Sequence, residues 1–485
     1  MPGVRRNAVV NIAGNIIPML AAVAAMPMLL HGMGAARMGI FTLALGLFGF
    51  AGIFDLGLGR ALTRSVAHYT QLGTAPKRIA PLLRSGLLAV LALGLIWAML
   101  ISLASGWLLG HMLALDAALR EETKAGLFIL AMMIPVVLLS TSLMGTLEGL
   151  QQFWRSNAIR IPLGVATYLV PALVALWYPT LDVVIGSLAA VRVIGLLALL
   201  VAVARQIPLG ARRDADPLPT APMWRYTGWL TVSNIVGPLM VYGDRYYLAG
   251  LLPPAAVGYY TVPLDTLFRA TSLPSAALNA AFPALTRAQA QPDDAAHFLA
   301  DAYTMLLFAW IVPLTVVGAL LPDALRIWLG AANAAHMIGT SRIILAGVLV
   351  NGFALVPFTL LQAVGRTDLT ARLHLVELPL FLIALTTLVT SFGVVGASMA
   401  WALRITFDGL CLLLMARRLF PLLSRQLLAL ALAAAGAAAF ILVSALLPTP
   451  WTRLTVSMLV LLLAAAELKR RGGFSWLLAL ARAYR

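Results

Sequence analysis

Runs of roughly 20 mostly apolar residues recur from one end of the chain to the other, separated by short polar intervals. Wound as a helix, a run of that length covers a bilayer core of about 30 Å. Fourteen such spans are predicted, at 8–30, 38–57, 82–106, 125–147, 160–178, 182–204, 226–252, 256–285, 303–325, 337–363, 371–391, 393–416, 426–447 and 451–468. Lipid offers no partners to an open sheet edge, so the spans are helices and the expected fold class is an all-α polytopic membrane protein. The first run follows Arg5 and Arg6 as in a signal peptide, but it is longer than a signal's apolar core and more spans follow it. It is expected to be retained as the first helix.

The most polar interval, "RQIPLGARRDADPLPTAPMWR" at 205–225, contains four prolines and mixed charge and reads as a linker. Six spans precede it; six of similar length follow, then two more. An internal repeat supports that division. Asn15, Gly39 and Thr42 recur as Asn234, Gly258 and Thr261, each 219 residues later, and "ALTR" at 61–64 recurs at 284–287. An even number of spans separates the copies, so both halves have one orientation, related by a pseudo-two-fold axis along the membrane normal. The expected organisation is a lobe at 1–204, the linker, a second lobe at 226–416, helices 13 and 14 within 417–468, and a basic tail at 469–485. Within that tail "FSWLLALARAYR" reads as an amphipathic helix on the inner leaflet.

Composition agrees: 61% of residues are hydrophobic, 11% are charged and the mean hydropathy is +0.94, against about 25% charged in a soluble domain. The net charge of +16 would suit nucleic acid, but its distribution argues otherwise. Of 34 basic residues, 24 fall on the side that holds both termini and the linker. Five (Arg37, Arg120, Lys124, Arg326 and Arg453) fall on the other side, and five lie within spans. That asymmetry places both termini and the linker in the cytoplasm, and no nucleic-acid partner is expected. The single Cys411 lies in a span, excludes an intramolecular disulfide and reads as a small apolar residue.

Catalysis finds no support. None of the three lysines sits in a phosphate-binding glycine loop, the six histidines have no metal-ligand spacing, and the polar connections are too short for a catalytic domain. No catalytic residue, metal or cofactor is expected. What remains are ionisable residues inside spans, each costing roughly 2.5–3.5 kcal/mol at a helix centre unless it meets a partner or a cavity. Asp265 and Arg269 are spaced i,i+4, as are Arg404 and Asp408, so each pair can meet on one helix face, either as a neutral structural bridge or as working groups. Asp244 and Arg245 are adjacent and point about 100° apart, so each is expected to look to another helix, to water or to a ligand. Arg192 has no acidic neighbour in its own helix. Arg192 and Arg245 are the foremost candidates for an anion contact. The charges near 244–269 have only apolar or glycine counterparts in the first lobe, which favours function over architecture.

Neutral polar residues point to a hydrated interior. Asn7, Asn11 and Asn15 share a face of the first span and Asn234 repeats Asn15; helix–helix hydrogen bonding is the alternative reading. Tyr246 and Tyr260 stand among the tyrosines around the second-lobe charges, where stacking on sugar rings competes with interfacial anchoring. Asp55 and Glu148 lie near cytoplasmic span ends, as gating groups or as local partners of Arg60 or Arg64 and of Arg155.

The segments "FDLGLGRALTRSVAHY", "GDRYYLAGLLPPAAVGYYTVPLDTLF", "FPALTR", "LLQAVGRTDLTARLHLVELPLFL" and "GASMAWALRITFDGLCLL" resemble polysaccharide flippases of the O-antigen (Wzx) type. These belong to the multidrug/oligosaccharidyl-lipid/polysaccharide exporter superfamily. The resemblance implies two six-helix lobes and alternating access that carries an undecaprenyl-diphosphate-linked glycan from the cytoplasmic to the periplasmic leaflet of a bacterial inner membrane. It implies contact with membrane lipids and with polysaccharide polymerase machinery. It also implies that Arg245, Asp265, Arg269, Arg404 and Asp408 line the cavity. The alternative within the superfamily is a cation-coupled multidrug exporter.

Overall fold

The computed structural model of the protein describes residues 2–49, 54–111, 117–208, 239–272, 310–421 and 424–443, with isolated positions at 274–275, at 278 and between 447 and 462. Most of the 205–225 linker, Asn234 and the 469–485 tail lie outside the described residues. Among the described residues every regular element is helical.

Helix α1 (Pro2–Gly49) is broken at Gly34, where φ is 79° and ψ 167°, a conformation that glycine enters at little cost. The break falls in the gap between the spans predicted at 8–30 and 38–57. Next come α2 (Leu58–Gln71), α3 (Pro76–His111), α4 (Ala117–Gly149), α5 (Phe153–Ala175) and α6 (Leu181–Ala204). Residues 239–249 form α7, and α8 (Pro254–Phe268) runs into a 3-10 turn at Arg269–Thr271. The chain continues with α9 (Val312–Leu329), α10 (Ala331–Ala363), α11 (Thr367–Leu419) and α12 (Ser424–Val443). A straight helix as long as α11 would reach about 80 Å, far more than a bilayer needs. It is interrupted at Gly393, with φ 56° and ψ −131°, at the boundary predicted between the spans 371–391 and 393–416.

Among the described residues eight helices are long and apolar enough to cross a membrane. Their outer faces expose large apolar side chains, among them Leu103 of α3, Ile194 of α6 and Ile383 of α11. Such faces are a liability in water and the natural boundary with lipid. The protein is an all-helical, multi-pass membrane protein.

Packing divides the chain into two units, Met1–Thr261 and Val262–Arg485, with the division inside α8. In the first unit α4 packs against α2, α3 and α6, and α1 against α5. Small residues allow close approach, as transmembrane helices require. A Cβ added to Gly145 would lie 2.0 Å from Thr63 Oγ1, and one on Gly94 would lie 2.6 Å from Pro135 Cα. Helix α2, which is not among the predicted spans, buries Leu58, Ala61, Leu62 and Val66. Leu62 and Val66 pack into a core with Leu83, Leu143, Leu147 and Leu199.

One helix crossing in this unit involves the repeat itself. A Cβ on Gly39 would stand 1.8 Å from the Pro254 carbonyl oxygen, and one on Gly258 would be 3.3 Å from Gly39 Cα. Close by, the Oγ1 atoms of Thr42 and Thr261 hydrogen-bond at 2.7 Å, fully buried. Gly39 thus meets Gly258 and Thr42 meets Thr261, each against its own repeat counterpart. Two helices related by a two-fold axis passing between them make contacts of this kind.

In the second unit α10 is the most buried helix, packed by α9, α11 and α12. Trp310 donates its ring N–H to the Leu349 carbonyl at 3.2 Å and covers Gly352, while Gly347 lies under Trp401. The Phe268 ring meets Trp401 edge-on with centroids 6.0 Å apart.

Candidate functional site

Charged side chains are buried inside the apolar helices of both units, and they form two networks. In the first unit Asp244 on α7 is 2% exposed. Its Oδ2 accepts a 2.5 Å hydrogen bond from the Tyr260 hydroxyl on α8, and its Oδ1 accepts the Arg245 backbone N–H at 2.8 Å. The Arg245 guanidinium, 4% exposed, stands over the Tyr242 ring at 5.0 Å, with Nε 4.0 Å from Asp244 Oδ1. Asp244 looks to another helix, as expected, through Tyr260, whereas the same expectation for Arg245 is corrected. The long arginine side chain curls back far enough to feel its neighbour's carboxylate, although the Cβ vectors diverge. Tyr260 is fully buried and committed to Asp244, which excludes it as a stacking surface for a sugar in this conformation. Tyr246 donates its hydroxyl to the Leu43 carbonyl on α1 at 2.8 Å, tying α7 to the helix segment that carries Gly39 and Thr42.

The second network lies on α11. Its break at Gly393 separates the stretch holding His374 and Glu377 from the stretch holding Arg404 and Asp408, and folding brings the four together. Arg404 Nε lies 3.5 Å from Glu377 Oε1, with the guanidinium 5.2 Å above the Phe381 ring. Glu377 Oε2 is 3.1 Å from His374 Nδ1, and Asp408 Oδ1 is 4.0 Å from the same nitrogen. The i,i+4 pairing expected between Arg404 and Asp408 is corrected: the arginine turns to Glu377, the more deeply buried carboxylate at 2% side-chain exposure against 14% for Asp408. Among the described residues Asp408 Oδ1 accepts no hydrogen bond.

The ligand atoms of His374, Glu377 and Asp408 lie within 4.8 Å of one another, a grouping that in-helix histidine spacing could not reveal. Arg404 already occupies Glu377, so the arrangement suits a charge network better than a cation cage. Two carboxylates face one guanidinium, and an imidazolium at His374 would bring the sum to zero. An uncompensated charge at membrane depth costs several kcal/mol.

The other candidates lie outside these two networks. Arg192 is half-buried in α6, with Tyr168 of α5 in its surroundings. Asp265 and Arg269 are both half-buried, and the α-helix gives way to the 3-10 turn at Arg269, so their spacing straddles a change of helical pitch. Asp55 uses its carboxylate on the backbone, accepting N–H bonds from Gly57 at 2.7 Å and Gly59 at 3.1 Å at the start of α2. The expected partnership with Arg60 or Arg64 yields to this cap. Glu148 faces Arg160 at 4.0 Å and Ser156 at 3.4 Å, rather than Arg155, which donates to Gln152. The side chains of Asn11 and Asn15, like Asn234, lie outside the described residues.

Paired buried charges in long apolar helices, on a framework with an internal repeat, define a membrane transporter class. Solved structures share the framework. A lipid II flippase, MurJ, in an inward closed conformation, aligns with a TM-score of 0.69 at 14% identity, covering 96% of this chain and 99% of that one. An inward-facing multidrug resistance MATE family transporter of the MOP superfamily gives 0.67 at 13% identity over 86% and 99%. The chain belongs to the Polysaccharide biosynthesis protein family, which matches residues 4–289, more than half its length. A Shigella flexneri protein assigned as an O-antigen transporter is 27% identical over 410 residues, covering 84% of this chain and 96% of that protein. These relatives are transporters and flippases, not enzymes.

Proposed function

We propose that the protein is a flippase for polyprenyl-diphosphate-linked oligosaccharide, moving it from the cytoplasmic to the periplasmic leaflet during surface polysaccharide synthesis. The observation that carries this reading is the match to an O-antigen transporter along nearly the whole of both chains, on a fold shared with a lipid II flippase. The residues supply the means. Arg192, a half-buried cation on an apolar helix of the first unit, is the proposed contact for the diphosphate, since guanidinium groups pair with phosphate oxygens in forked geometry. Arg245, in the same unit, is a second proposed contact once its contact with Tyr242 and Asp244 opens. The His374–Glu377–Arg404–Asp408 network is the proposed coupling element: a proton gained or lost there changes the charge of a buried cluster and so biases one conformation over another. The proposed location is a bacterial inner membrane, and the distribution of basic residues supports a cytoplasmic position for both termini and the 205–225 linker.

The test is deletion of the gene and complementation. Loss of surface polysaccharide, with glycan-loaded lipid accumulating on the inner leaflet, is expected, and the intact chain restores export. Unchanged polysaccharide, together with increased sensitivity to cationic drugs, would assign the protein to the multidrug branch of its superfamily instead.

A further inference from the structure

Two arginines converge on the carboxylate of Asp323 in the second unit, away from both networks, and a third arginine stands near one of them. Arg326 on α9 donates to Asp323 Oδ1 at 3.4 Å, and Arg453 reaches Asp323 Oδ2 and the Ala319 carbonyl through Nη1 at 3.4 and 3.3 Å. Arg453 is 5% exposed, buried against α9. Arg342 on α10 is near enough to feel the like charge of Arg453, and among the described residues its Nε has no hydrogen-bond partner. Asp323 is the only acidic residue in 302–367 and in 409–466, so nearby sequence supplies no second carboxylate to balance three guanidinium groups. Arg326 and Arg453 are also two of only five basic residues on the side that the positive-inside count assigns to the outside. Cations are scarce there, so two of them sharing one carboxylate, with Arg342 near Arg453, call for an anion.

We propose that this corner of α9, α10 and the chain around Arg453 binds one lipid-borne phosphate group. Arg326 is 56% exposed at its side chain and Asp323 31%, so the corner is open to a headgroup. Arg453 stays with Asp323 and Ala319 as the fixed, buried cation, and Arg342 and Arg326 turn their forks to the phosphate oxygens. A bulk anionic phospholipid and a polyprenyl phosphate carrier present the same chemistry, and the experiment separates them. The site stands independently of the proposed cargo.

The full-length protein would be purified in detergent and examined by native mass spectrometry after addition of phosphatidylglycerol, phosphatidylcholine or undecaprenyl phosphate. Wild type should retain one anionic lipid in preference to phosphatidylcholine. The double variant Arg326→Gln/Arg342→Gln changes only partly exposed side chains, so it should fold, and it should hold that lipid about tenfold more weakly. Displacement of phosphatidylglycerol by undecaprenyl phosphate identifies the carrier as occupant, and the reverse identifies bulk lipid. Equal retention of phosphatidylglycerol and phosphatidylcholine by wild type, or undiminished retention by the double variant, overturns the site.

Discussion

Thr42 and Thr261 are 219 residues apart, and their hydroxyl oxygens meet at 2.7 Å in a fully buried contact. Each hydroxyl carries one proton, so one threonine donates across the crossing while the other donates within its own helix, Thr42 to the Gly39 carbonyl or Thr261 to the Val257 carbonyl. One turn away Gly39 and Gly258 let the two backbones touch. An ancestral helix that packs against its own duplicate in this way ties the repeat seen in sequence to a physical contact.

That contact makes a graded prediction. Gly39→Ala places a methyl group on the Pro254 carbonyl, a backbone atom with nowhere to go, whereas a Cβ on Gly258 meets neighbours at 3.1–3.3 Å. Gly39→Ala should therefore lower thermal stability in detergent by the amount typical of overpacking, about 1–3 kcal/mol, and Gly258→Ala by less. Equal effects would mean that the two helices are not held as described.

The Asp244–Tyr260 bond predicts a second, different loss. Tyr260→Phe keeps the ring in its buried site and removes the hydroxyl that serves Asp244. A hydrogen bond to a charged group contributes roughly 1.5–3 kcal/mol, and the stability of the variant should fall by that order. Denaturant or thermal unfolding of the purified protein measures it. The companion change Tyr246→Phe removes a bond to one carbonyl and should cost about 1 kcal/mol.

The network on α11 predicts a rescue. Glu377→Gln leaves Arg404 without its carboxylate and Arg404→Gln leaves Glu377 without its guanidinium, so each single change should cost about 3–5 kcal/mol and reduce membrane-inserted protein. The combination removes both charges and should restore protein level. If the network couples transport, the restored protein remains inactive in polysaccharide export. Full activity of the double variant would return Glu377 and Arg404 to the scaffold. The parallel pair Asp265→Asn with Arg269→Gln applies the same logic to the end of α8.

Topology is tested at Ala215. A cysteine there, in a background with Cys411 replaced by serine, should label only from the cytoplasmic side. Labelling from the periplasmic side contradicts the assignment drawn from the basic residues.

Much of the fold was legible in hydropathy because lipid imposes a length and an apolarity on every span. Even the breaks were visible as glycines, Gly34 and Gly393, at the gaps between apolar runs. Helix α2 was not, since a 14-residue amphipathic segment falls below the span length. Its signal is Leu58, Leu62 and Val66 at four-residue spacing, with Arg60 and Arg64 between them. The candidate site was legible as a set of charges but not as partnerships. In-helix spacing favoured Arg404 with Asp408, whereas the reversal at Gly393 brings Glu377 and His374, some thirty residues earlier, to the same place. Spacing along one helix carries no information on which other segment the chain folds back against. Asp55 shows the opposite case, a charge whose work lies in its own turn.

The most direct measurement of the central claim is flipping itself. The purified protein would be reconstituted into liposomes carrying undecaprenyl-diphosphate-linked oligosaccharide, and a glycosidase added outside would report the glycan that reaches the outer leaflet. With the wild-type protein the protected half of the glycan should become accessible, and with the Arg404→Gln/Glu377→Gln protein it should stay protected. Glycan that remains protected in wild-type vesicles would contradict the assignment as a flippase for this class of lipid.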